Sequence, residues 1–143
     1  MALLEQIQSD ATTALKAGDR GRAGALRLVL SELQKAEKDG TGDEVEVLGR
    51  ERKRRLESAQ AYRDAGRDDL AGTEEGEADL IASYLPEQIS DSELHAIVGD
   101  AVAQSGASSP KEMGKVMSLV MPQVKGRADG KRVSGAVQEK LTP

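Results

Sequence analysis

Residues 90–102 run Ser90-Asp91-Ser92-Glu93-Leu94-His95-Ala96-Ile97-Val98-Gly99-Asp100-Ala101-Val102. Ser90 and Glu93 stand at the spacing of a capping box, in which the hydroxyl accepts from the N–H three residues on and the glutamate reaches back to the first N–H. Behind them Leu94, Ile97, Val98, Ala101 and Val102 recur at three- and four-residue steps, the period of one buried helical face. The stretch therefore reads as a capped amphipathic helix, and the same pattern extends both ways. Downstream, Ser109-Pro110-Lys111-Glu112 has the box spacing again, with proline at the first helical position where its missing N–H costs nothing. Met113, Val116, Met117, Val120 and Val124 follow as a core stripe, and Pro122 should kink or end that helix near its last turn. Asp129 is placed to cap a final helix carrying Val133, Ala136, Val137 and Leu141.

Upstream, Leu3, Leu4, Ile7, Ala11, Ala14 and Leu15 form one stripe that Gly18 ends. Asp19 can cap a second helix with Leu26, Val29, Leu30 and Leu33 on its buried side, ending near Asp39-Gly40. A third, beginning after Thr41-Gly42, carries Val45, Leu48, Leu56, Ala59 and Tyr62 as far as Ala65-Gly66. A fourth is lined by Leu70, Ala78, Ile81, Tyr84 and Leu85, and Pro86 stops it. Gly21, Gly24, Gly72 and Gly76 weaken the early turns of the second and fourth helices, which should start late or fray. No window alternates as a strand does, so the fold is expected to be all-α. It should have about seven helices in two subdomains, with long helices in 1–87 and a bundle of short ones in 88–143.

The 143 residues suffice for one domain or two small ones. Phe, Trp and Cys are absent and there is one His. That removes disulfides, thiolate chemistry and any His/Cys zinc cage, and leaves no spare histidine for a Ser-His-Asp arrangement. The first residues lack the basic end and long apolar run of a secretory signal, and no apolar run approaches a membrane span, so a cytoplasmic protein is expected.

The net charge of −5 conceals a pattern. Residues 50–63 are basic, with Arg50, Arg52, Lys53, Arg54, Arg55 and Arg63; 64–104 are strongly acidic; and 105–143 are basic again. The first basic segment reads as a solvated or paired face, Glu46 with Arg50, Glu51 with Arg55 and Lys53 with Glu57 along its helix, or against acids in 64–79; the alternative is a phosphate or partner surface. The second places Lys125, Arg127, Lys131 and Arg132 around a glycine-bearing loop at a helix start, with Lys111, Lys115 and Lys140 beyond it. Such a loop suits phosphate oxygens. Tyr62 and Tyr84 both fall on apolar stripes, so base stacking is disfavoured and a nucleic acid would be gripped by its backbone as a folded shape.

Signals for catalysis are weaker. Lys125-Gly126-Arg127-Ala128-Asp129-Gly130-Lys131 lacks P-loop spacing and no strand precedes it. Asp68, Asp69, Glu74, Glu75, Glu77 and Asp79 spread around one helix, His95 has no positioned partner, and no serine has an evident general base. Neither a metal, a cofactor nor a catalytic residue is expected.

Four stretches carry a resemblance: Arg67-Asp68-Asp69-Leu70, Tyr84-Leu85-Pro86-Glu87-Gln88, Met113-Gly114-Lys115-Val116-Met117, and Lys125 to Lys131 followed by Val133. In this order, over almost the whole length, they look like the YqeY proteins. Those proteins are similar to the tail domain of the B subunit of the aspartyl/glutamyl-tRNA amidotransferase, which helps hold the tRNA body. The resemblance implies a two-subdomain helical fold and a non-catalytic tRNA-binding or amidotransferase-related adaptor. The matching segment is Gly114-Lys115 and Lys125 to Arg132, so the implied contacts are Lys115, Lys125, Arg127, Lys131 and Arg132. Carbon–nitrogen ligase activity with glutamine as amido donor is the activity such kinship would transfer, although no residue here is suited to it. Another alternative is a protein-interaction module that docks a tRNA-handling enzyme through the acidic fourth helix or the methionine stripe of the sixth. The acidic 64–104 stretch means that the N-terminal group should repel RNA, leaving one end of the molecule to bind it.

Overall fold

The computed structural model describes residues 2–143. Among them the structure is all-α, with seven α-helices, one short 3₁₀ turn and no strand. The chain divides between Leu85 and Pro86 into two compact units, two residues before the boundary expected after Glu87. Proline at this position pushes Leu85 out of helical geometry, and the helix before it has already closed. No described helix is long and apolar enough to cross a membrane.

The first unit contains α1 (Ala2–Lys16), α2 (Arg20–Asp39), α3 (Glu44–Asp64) and α4 (Asp68–Ala82), packed mainly as the pairs α1 with α2 and α3 with α4. Asp19 and Asp43 cap α2 and α3 by accepting from the N–H groups of Arg22 and Glu46. The cap explains why α2 begins at Arg20 instead of fraying through Gly21 and Gly24; α4 also begins ahead of its glycines, at Asp68, but without a side-chain cap. Gly40, at φ 66°, closes α2 in the left-handed region that only glycine enters without strain. The core is built from Ile7, Leu26, Val29, Leu33, Val47, Leu48 and Ile81. Two stripe residues are exposed, Leu15 at 49% and Leu56 at 38%, and Val45, Tyr62 and Leu70 are half-buried outside this core.

Helix α4 ends at Ala82, short of Tyr84, which sits half-buried against this core. Its phenol donates to Asp10 Oδ2 at 2.5 Å, tying the end of the α3–α4 pair to α1. Burial, then the Asp10 acceptor and its charge, push the Tyr84 hydroxyl up from 10.0 to about 12. A raised acid pKa means that the folded state holds this proton more tightly than the unfolded chain. The contribution is therefore present below pH 10 and lost as pH rises through about 12. Urea midpoints recorded between pH 9 and 12 should fall more steeply for the parent protein than for Tyr84→Phe; parallel curves would show that the phenol is uncoupled from folding.

The second unit contains α5 (Asp91–Ser105), the 3₁₀ turn Pro110–Glu112, α6 (Met113–Val124) and α7 (Gly130–Leu141). Leu94, Val98, Ala101, Val116, Val120, Val124, Val133, Val137 and Leu141 interlock as its core. Met113, Met117 and Met121 pack against that core, half-buried. Pro122 lies in the last turn of α6 without ending it early, since only one backbone hydrogen bond is forfeited there.

The two capping boxes each differ from expectation. Ser90 Oγ accepts from the Glu93 N–H at 3.1 Å, but the Glu93 carboxylate turns outward to Arg127. At the second, Ser109 makes no side-chain cap and Glu112 Oε2 instead accepts from the Ser108 N–H at 2.7 Å, one residue earlier. That N–H, followed by Lys115, holds the Glu112 carboxyl below the usual carboxylate range.

Candidate nucleic-acid interface

The loop from Lys125 to Asp129 is fixed by its backbone before any charge is considered. Lys125 is the C-cap of α6, and Gly126 at φ 76° turns the chain back so that the N–H groups of Arg127 and Ala128 both reach the carbonyl of Val124. Ala128 is buried and anchors the turn. Asp129 accepts from the Arg132 N–H at 2.8 Å and starts α7. Outside the loop, the segment leading into α5 is clipped to it: the Ile89 N–H donates to the Arg127 carbonyl at 2.8 Å and Gln88 Nε2 to the Gly126 carbonyl at 3.1 Å. The loop and the start of α5 thus form one piece of the C-terminal unit.

Four of the five expected cations lie on this loop or on the first turn of α7. Lys125 and Lys131 are exposed, and Lys131 makes no ion pair among the described residues. Arg127 and Arg132 are half-buried and occupied. Arg127 donates through Nε to the Glu87 carbonyl at 3.3 Å and through Nη2 to Glu93 Oε2 at 3.0 Å. Arg132 Nη2 donates to Asp91 Oδ1 at 2.6 Å, and that bond, with the charge behind it, holds the Asp91 carboxyl below the usual range. Lys115 is not brought to the loop. It pairs with Glu112 at 3.4 Å in the first turn of α6, ten residues and about 15 Å of helix from Lys125.

The acidic stretch is distributed differently from its expectation. Glu87, Asp91, Glu93 and Asp100 belong to the same unit as the cations, which therefore carries seven acidic and seven basic side chains. Asp91 and Glu93 are the residues that sequence reading missed, because a pair 34 to 41 positions apart leaves no helical-period signal.

The other basic segment is engaged largely by acids of its own unit. Arg55 faces Glu51, Glu74 and Glu77, Arg54 holds the buried Glu51 at 2.9 Å, and Arg63 pairs with Asp68 and Glu75. Of the pairings the sequence suggested, Glu51–Arg55 and those against 64–79 are formed, whereas Lys53 and Glu57 do not pair among the described residues. A groove of about 280 Å³ in the same unit is lined by Glu32, Lys35, Asp39, Arg50, Glu51 and Arg54, a balanced set of charges. Among the described residues no three His, Cys, Asp or Glu side chains converge as metal ligands, and His95 is exposed.

Comparison with known proteins matches residues 4–141 to the family described as Yqey-like protein. Three fungal relatives are each named "Altered inheritance of mitochondria protein 41, mitochondrial". The protein from Pyrenophora tritici-repentis is 27% identical over 145 residues, spanning 96% of this chain and 80% of its own. Those from Clavispora lusitaniae and Meyerozyma guilliermondii are 34% and 31% identical over 59% of this chain, spanning 52% and 47% of their own lengths. With a match over nearly its whole length and the two-unit helical fold described above, the chain belongs to the YqeY-like family.

Proposed function

We propose that this chain is a non-catalytic adaptor whose C-terminal unit contacts folded RNA, tRNA in the first instance, through Lys125, Arg127, Lys131 and Arg132. One observation carries the reading. The loop and the first turn of the following helix place four cations within eight residues, two of them, Arg127 and Arg132, engaged by Glu93 and Asp91, while the loop's sole carboxylate, Asp129, is committed to its own cap. Cations on a fixed backbone suit phosphate oxygens spaced along a folded strand, and the loop itself carries no aromatic residue for stacking. Recognition would therefore be of shape and charge. Such a surface on a chain of net charge −5 should bind modestly and depend steeply on salt.

With roughly four phosphates neutralised, the slope of log affinity on log salt should be about −3, so binding should weaken roughly 50- to 100-fold between about 50 and 200 mM salt. Gel retardation of bulk tRNA across this range measures it. Lys125→Ala and Lys131→Ala should each reduce the slope by about one. Absence of any retention at low salt would eliminate the reading.

A further inference from the structure

Resting on the RNA-binding reading above, we propose that Asp91 and Glu93 are built-in competitors for the phosphates that this loop binds, an autoinhibitory contact that RNA must displace. The geometry has three parts. First, the carboxylates stand nearer to water than the guanidiniums they hold: the Asp91 and Glu93 side chains are 85% and 49% exposed, against 31% and 30% for Arg132 and Arg127. A phosphate approaching either arginine meets its carboxylate on the way.

Second, each contact uses a single guanidinium nitrogen and a single carboxylate oxygen, at 3.0 Å for Arg127 and 2.6 Å for Arg132. The planar fork of either arginine is left incompletely filled, and a phosphate can take it with two parallel bonds. Third, neither carboxylate depends on its arginine to stay in place. Both lie in the first turn of α5, where the helix dipole favours negative charge, and the Ser90 cap holds that turn independently. Displacement therefore leaves the fold intact, while the Glu87 carbonyl keeps Arg127 positioned for its new partner.

The test compares two full-length variants of equal charge. Asp91→Asn with Glu93→Gln removes the competitors; Asp100→Asn with Glu139→Gln removes the same charge from exposed positions elsewhere in the unit. The probe is bulk tRNA, titrated by gel retardation at a fixed salt of about 100 mM and then across the salt range. Exposed ion pairs of this kind are each worth roughly a few-fold in an equilibrium, so the first variant should bind about tenfold more tightly than the parent, and the second less than threefold. Asp91→Asn alone, which leaves the Arg127–Glu93 pair in place, should give about a threefold gain and guards against loss of fold in the double variant. Equal gains in both double variants, or no gain in the first, would overturn the autoinhibitory contact while leaving RNA binding standing. No retention of tRNA by any of the proteins would overturn both.

Discussion

Replacing Gly21, Gly24, Gly72 and Gly76 together by alanine should raise the stability of the N-terminal unit by about 2–4 kcal/mol. All four lie inside helices, α2 or α4, none has positive φ, and a Cβ added at any of them meets nothing within 4 Å. No packing contact thus requires the missing side chain, and each glycine loses more backbone freedom on folding than alanine would. A gain of this size corresponds to a rise in midpoint of about 10 °C or more for a unit of this length, readable by thermal or urea unfolding. The opposite sign is expected at Gly106 and Gly126, where φ is 70° and 76° and an alanine Cβ would be strained, at a cost of about 1 kcal/mol each. A quadruple variant no more stable than its parent would mean that these turns are not helical in solution.

Arg55→Ala should be the most damaging single change on the α3–α4 pair, costing about 2–3 kcal/mol. The apolar core is concentrated on α1, α2, the first turns of α3 and the end of α4; between these, α3 and α4 meet through the alanines Ala59, Ala71 and Ala78 and through charge. Arg55 faces three acids at once: Nη1 is 3.6 Å from Glu74 and 3.5 Å from Glu77, and Nη2 is 3.9 Å from Glu51. All four side chains are at most a quarter exposed. Truncating the arginine leaves Glu74 and Glu77 half-buried with no cation beside them and Glu51 with Arg54 alone. Because the penalty comes from stranded charge, Arg55→Met combined with Glu74→Gln and Glu77→Gln should recover most of it. Urea midpoints at neutral pH distinguish the cases: if the single variant is as stable as the parent, this cluster is only a solvated surface.

The helices and most of their ends were legible because their causes are local. Asp19, Ser90 and Asp129 act on N–H groups three residues away, and the stripes of α2, α5, α6 and α7 need only the helical period to be seen. The reading was poorer where another element decides the outcome. Leu15 and Leu56 have the right spacing and remain exposed, since no partner surface reaches them. Glu93 has the spacing of a reciprocal cap, yet Arg127 offers its carboxylate a full opposite charge in place of a single N–H.

The same division applies to the cationic loop. Its four positive side chains, its glycine turn and its capping aspartate are written consecutively from Lys125 to Arg132, so composition and local chemistry alone determined that a charged loop would precede a helix. Only the tertiary structure decided that Lys115 would lie at the far end of α6 and that Arg127 and Arg132 would be met by Glu93 and Asp91. Backbone propensity and capping act over three or four residues and can be read in one dimension. Pairing between charges dozens of residues apart depends on where packed helices bring them, and the core fixes that.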